Sequence, residues 1–214
     1  MFAVNPYRMV PLVIAMAVLA VLSGSWSRCL AQEPNQDLHQ QTKNAGGKLV
    51  LRYLPDRSVI YPNIEELAKR SDLIVVGRTL GHRARMRGDG KFITKDFSVM
   101  VQEVIKGNLT EGSTIVVSLP GGSYQFDDGS YVFLSPRKYT MAQDNRTYVF
   151  FLKNKGTTYS GHELSGGIQG QFEITSGKVE AADQLDDPIV VKYRGIRTGT
   201  FLAQIHGAVG AGKK

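Results

Sequence analysis

The chain has 214 residues and a formal net charge of +7, with one Cys and one Trp. A single thiol excludes an internal disulfide framework and a zinc site built from cysteines. Apolar residues make up 42% and charged residues 21%, a globular balance, and the modest positive excess is spread widely, which favours at most weak contact with polyanions.

The N-terminus reads as an export signal. Arg8 supplies a positive start, and Met9–Leu22 is an unbroken apolar run. That run is short of the roughly 20 residues a membrane-spanning helix needs. Cleavage between Ala31 and Gln32 puts Ala31 at −1 and Cys29 at −3, and both are small enough for a signal peptidase. A lipid-anchored Cys29 would instead place Arg28 and Trp26 at those positions, which are too large. The other reading of the segment is an uncleaved anchor. Cleavage at Ala31 discards the only Cys and Trp and directs the chain to the periplasm or the exterior.

Gln32–Gly47 is polar, with Leu38 as its one large apolar residue, and predicts a flexible leader. The leader extends to residue 57 and includes a short extended piece at Lys48–Leu54. Asn63, with Glu66 three residues later, forms a capping-box start for a helix over Ile64–Arg70. Leu73–Leu80 is a continuous β-branched run and predicts a buried strand; Gly81–Lys91 reads as a hairpin loop. Strands follow at Phe97–Ile105 and Thr114–Leu119, the latter ending at Pro120-Gly121-Gly122. Asp127–Gly129 is a turn, Thr147–Lys153 a buried strand, and Ser176–Gly177 the tip of a last hairpin. Thr200–His206 has one apolar face and predicts a helix stopped by Gly207, with a frayed tail over 207–214.

About five strands, short loops, no βαβ alternation and two short helices predict an all-β domain over 58–206. The architecture expected is a five-stranded OB-like barrel; the alternative is a small β-sandwich.

Five short motifs stand in a fixed order: S-D-x-x-V-x-G at Ser71–Gly77, E-V-x-K-G at Glu103–Gly107, P-G-G at Pro120–Gly122, F-L at Phe151–Leu152 and Q-G-x-F at Gln169–Phe172. In that order, over Ser58–Ala182, the chain resembles a group of exported bacterial proteins of unknown function. More distantly it resembles the netrin-like domain, the OB-type barrel of tissue inhibitors of metalloproteinases. The resemblance implies the barrel, and by analogy a protease as partner. The inhibitors chelate zinc through a mature N-terminal Cys, and this chain departs from them there.

The densest local feature is basic: His82, Arg83, Arg85, Arg87 and Lys91 crowd one hairpin, opposed by Asp89. It reads either as an anion- or partner-binding finger or as a solvated loop that protects a sheet edge. His162–Glu163 is an isolated His–acid pair, and His39, His82 and His206 are scattered, so no metal spacing is present. Asp127–Asp128 and Asp186–Asp187 are explained by turn and loop chemistry. Ser165 stands before two glycines that serve either as a bend or as a close approach to a ligand. No P-loop or nucleophile elbow occurs. The basic hairpin has no aromatic residue except Phe92 at its edge, which argues against nucleic acid.

The sequence therefore predicts an exported, non-enzymatic binding domain. Its partner is an extracellular or envelope protein, or an acidic polysaccharide. No cofactor, no metal and no stable membrane insertion after cleavage are expected. Two alternatives stay open: a cell-envelope hydrolase whose site forms only in three dimensions, and a structural envelope component.

Overall fold

Leu73–Gly77, the most apolar run after the leader, is buried on both of its faces, and the rest of the fold is arranged around it. The structure is a computed structural model, which describes residues 36–55, 59–154, 161–182 and 187–211. In chain order the elements are α1 (Leu38–Asn44), β1 (Lys48–Tyr53), α2 (Ile64–Arg70), β2 (Leu73–Met86), β3 (Ile93–Lys106), β4 (Thr114–Pro120), β5 (Gly122–Gln125), β6 (Tyr131–Pro136), β7 (Thr147–Lys153), β8 (Glu163–Leu164), a 3-10 turn (Gly167–Gly170), β9 (Gln171–Thr175), β10 (Lys178–Ala181), α3 (Pro188–Tyr193) and α4 (Thr198–Ala211).

The larger sheet runs β10-β9-β7-β2-β3-β4, every neighbour antiparallel, with β8 paired to β7. A smaller sheet runs β1-β6-β5, with β1 and β6 parallel. Successive strand residues point to opposite faces, so β2 feeds two cores. Ile74 and Val76 join Val149, Phe151 and Phe172 beneath α2, α3 and α4, which add Leu67, Tyr193 and Phe201. Leu73 and Val75 join Phe97, Val99, Val117 and Phe150 on the other side. A third core of Leu38, Ile93, Val132 and Leu134 fastens the smaller sheet to the far ends of β2 and β3. A Cβ at Gly77 would lie 2.5 Å from Val99 Cγ1, and the β2–β3 register shifts there, so the close approach needs glycine.

The named strands form open sheets rather than a ring, so the chain is mostly β with short helices, and the expected closed barrel is not drawn by its ladders. One isolated parallel bridge, Val117 to His162, reaches from β4 to the residue before β8. Its bonds are Ser118 N–H to the His162 carbonyl at 2.9 Å and His162 N–H to the Val116 carbonyl at 2.8 Å.

Several expectations need correction. The polar leader holds α1, ahead of the expected extended piece, which is β1. Asp37 caps α1 by accepting the Gln40 N–H at 2.8 Å, and Leu38 is buried in the third core. Composition missed this because the order is tertiary: the His39 ring stacks on Phe126 at 4.1 Å, and His39 and Lys43 both reach Asp128. The Gly81–Lys91 segment is not all loop. β2 continues to Met86 because Ala84 and Met86 pack inward while Arg83 and Arg85 face water. Among the described residues ten strands form instead of about five. α3 was not foreseen; Asp187 caps it and Pro188 opens it. α4 passes through Gly207, which keeps helical backbone and is no stop.

Candidate functional site

A groove of about 540 Å³ opens where the ends of β1 and β4 meet β8 and the 3-10 turn. Four aromatic residues stand among its apolar walls. Tyr53 leaves β1, Phe92 ends the β2–β3 turn, and Tyr61 and Tyr139 come from connecting segments. Pro120 closes β4, where a residue without an N–H ends the ladder on the groove side. Leu54 and Val59 form the lip, 69% and 52% exposed.

The walls are held from behind. Tyr53 and Phe92 meet edge to face at 5.5 Å. Gln169, itself buried, accepts the Tyr61 N–H at 2.8 Å and donates to the Tyr61 carbonyl at 3.1 Å. Gly166 has φ +65°, and a Cβ there would lie 2.8 Å from Tyr61 Cδ2. The glycine pair after Ser165 therefore does provide a close approach, but to the chain's own tyrosine ring.

Beside the groove lies a buried polar chain. The Asp96 side chain is 5% exposed; Arg85 Nε meets its Oδ2 at 2.5 Å and Ser118 Oγ donates to its Oδ1 at 2.6 Å. The Gly161 N–H donates to Ser118 Oγ at 3.0 Å. The hydroxyl of Ser118, a groove-lining residue, is thus committed as both donor and acceptor, with no imidazole in the arrangement to act as its base. Glu163 also lines the groove, and burial pushes its carboxyl above the usual range while nearby Lys153 pulls it back. His162 turns its Nδ1 to the Lys153 carbonyl at 3.2 Å, away from an acid–base pairing with Glu163.

The basic hairpin is largely neutralised by its own chain. His82 Nδ1 lies 2.8 Å from Asp144 and its ring rests on Phe97. Arg85 pairs with Asp96, and Arg87 with Asp89. The Lys91 N–H donates to Asp89 at 3.0 Å. The Arg87 hydrogen bond holds the Asp89 carboxyl below its usual value, with help from the Lys91 amide. Arg83 and Arg85 are exposed, along the solvent face of β2. The five candidates thus line one strand end and its turn rather than converge on a single point. Ala31 and Gln32 lie outside the described residues.

His39 and His206 pair with Asp128 and Glu103. Among the described residues, no three His, Cys, Asp or Glu side chains form a metal-holding group. Asp128 accepts from the Ser130 N–H and hydroxyl, and Asp187 caps α3, so one member of each acid pair has structural work. Asp186 lies outside the described residues. Sequence reasoning passed over the groove aromatics because they are scattered from Tyr53 to Tyr139. The one signal was the glycine pair, whose partner was not visible. No protein-family model matches the chain, and no curated protein matches it.

Proposed function

We propose that this chain is an exported, non-enzymatic binding domain that recognises an extracellular or envelope protein through the aromatic groove. The observation that carries the reading is the groove itself: four aromatic rings, an exposed apolar lip, and, besides the tyrosine hydroxyls, polar side chains at Ser118, Lys153 and Glu163. Aromatic side chains are enriched at the cores and hot spots of protein interfaces. Binding rather than reaction is supported by the Ser118 hydroxyl, which is committed at both of its roles, and by Glu163, which has no acid–base partner at hydrogen-bond distance among the described residues.

The finer fold reading belongs to the same proposal. A nearly closed five-stranded OB-like ring is supported by the order β2-β3-β4, by the single parallel Val117–His162 bridge from β4 toward β8, and by the pairing of β7 with both β8 and β2. The groove is lined by residues of β4 and β8, two members of the proposed ring. Kinship with netrin-like domains and a protease partner are part of the proposal on fold analogy alone. Export rests on the apolar run and the small residues before Gln32.

An acidic polymer is the second reading, favoured by Arg83 and Arg85 on one exposed strand face. Capture from culture fluid separates the two. The groove reading expects Leu54→Asp with Val59→Asp to abolish capture while Arg83→Ser with Arg85→Ser preserves it. The reverse pattern, or capture unaffected by either pair, would refute it.

A further inference from the structure

The groove's composition narrows the kind of partner segment, an inference that rests on the groove reading above. Four rings, Tyr53, Tyr61, Phe92 and Tyr139, stand with Pro120 around a slot whose geometry is fixed by the Gln169 clamp and the Gly166 approach. Rigid aromatic slots of this kind suit a polyproline II segment. Such a segment has three residues per turn and no internal hydrogen bonds, so it presents ridges of prolyl rings and is already ordered before it binds.

Charge selects further. Among the described residues the charged side chains lining the groove are Glu163 and Lys153, neighbours across the β7–β8 pair. Among the described residues neither forms an ion pair within 4.0 Å, whereas Asp96 and Asp89 are paired with Arg85 and Arg87; Lys153 acts on the Glu163 carboxyl only at longer range. The Glu163 carboxyl, already raised by burial, gains most from a cation that arrives with the ligand. Arginine suits it best, since its planar guanidinium binds a carboxylate by two bonds and also stacks on aromatic faces.

We infer that the groove binds a proline-rich segment of a partner protein in the polyproline II conformation, with a flanking arginine pairing to Glu163 and the prolyl ridges packing between Tyr53, Tyr61 and Phe92.

The test is fluorescence anisotropy of the full chain with a labelled peptide, Arg-Pro-Leu-Pro-Pro-Leu-Pro. Saturable binding is expected. Leu54→Asp should weaken it at least about tenfold, as a charge placed on an apolar contact does. Glu163→Gln should weaken it about fivefold and leave the Ala-for-Arg peptide unaffected, the sign of a lost ion pair rather than a lost fold. Replacing the prolines with glycine should abolish binding through the ordering cost. Thermal midpoints check that the variants fold, and Val59→Asp replaces Leu54→Asp if that one does not. Absence of saturable binding to the folded wild-type chain at millimolar peptide overturns the inference, as does equal binding by Glu163→Gln. If groove-dependent capture from culture fluid persists in that case, only the ligand class fails; if it is lost too, the groove reading fails with it.

Discussion

Gln169 holds the backbone of Tyr61 with both ends of its amide, accepting the N–H at 2.8 Å and donating to the carbonyl at 3.1 Å across 108 residues of sequence. A side chain here does what a neighbouring strand would do, and it fixes one wall of the groove. Gln169→Leu fills similar space but strips both partners from Tyr61. The expected loss is about 2–3 kcal/mol, because backbone groups left without a partner cost about 1–3 kcal/mol. A urea midpoint series measures it, and a loss below about 0.5 kcal/mol contradicts the clamp.

Gly166 and Gly177 both have positive φ, at +65° and +73°, but only Gly166 has a ring against it. Each Gly→Ala change carries the left-handed backbone cost of about 1–2 kcal/mol. Gly166→Ala must in addition push Tyr61 aside. Gly166→Ala should therefore destabilise more than Gly177→Ala and should move the Tyr61 ring resonances, whereas Gly177→Ala should leave them unmoved. Equal destabilisation with unmoved rings would refute the contact.

Ser118 joins Asp96 to the Gly161 amide and so ties β4 to the segment entering β8. Ser118→Ala leaves a buried carboxylate oxygen and a buried N–H without this partner and should cost about 1–3 kcal/mol. Amide exchange at Gly161 and His162 should accelerate in step with that loss. Unchanged exchange at these two amides would show that the bridge is held without Ser118.

α1 is fastened by the contacts of His39 and Lys43 with Asp128, and hydrogen bonds from Ser130, His39 and Lys43 hold the Asp128 carboxyl far below the usual carboxylate value. A depressed carboxyl contributes stability that is present above its ordinary pKa of about 3.9 and lost as pH falls through the folded value. The docking of α1 should therefore hold at pH 5 and above and loosen below about pH 4. Asp128→Asn should remove that acid step from the amide exchange of Leu38–Asn44. An identical acid step in the variant would contradict the assignment.

Glu163 has the opposite sign. Burial raises its carboxyl, so its charged form opposes folding above the folded pKa and contributes nothing once both states are protonated. Glu163→Gln should raise the thermal midpoint at pH 7 and leave it unchanged at pH 3. A lower midpoint at pH 7 would show a structural role for the carboxylate.

Two elements were legible in the sequence residue for residue. α2 shows Asn63 and Glu66 at capping spacing, and β7 is a continuous apolar run; local chemistry alone decides both. β9 and β10 were likewise visible through the Ser176–Gly177 turn, whose residues both take positive φ. The far half of β2 was hidden because Arg83 and Arg85 look like loop until the third core gives Ala84 and Met86 somewhere to pack. α1 was hidden for the same reason, since its buried apolar anchor, Leu38, is useful only against Ile93 and Val132. Of the candidate site, the basic hairpin was found, but its acids Asp96 and Asp144 come from other elements. The groove was invisible because its rings are brought together only by long-range pairing, and the Gly166–Tyr61 approach that marks it has no local signature.

Amide hydrogen exchange of the full chain, with and without its captured partner, tests the central claim most directly. Protection concentrated at Tyr53, Leu54, Tyr61 and Leu164–Ile168 is the result expected of a groove that takes the partner. Protection confined to Gly81–Lys91, with those groove amides unchanged, would contradict it.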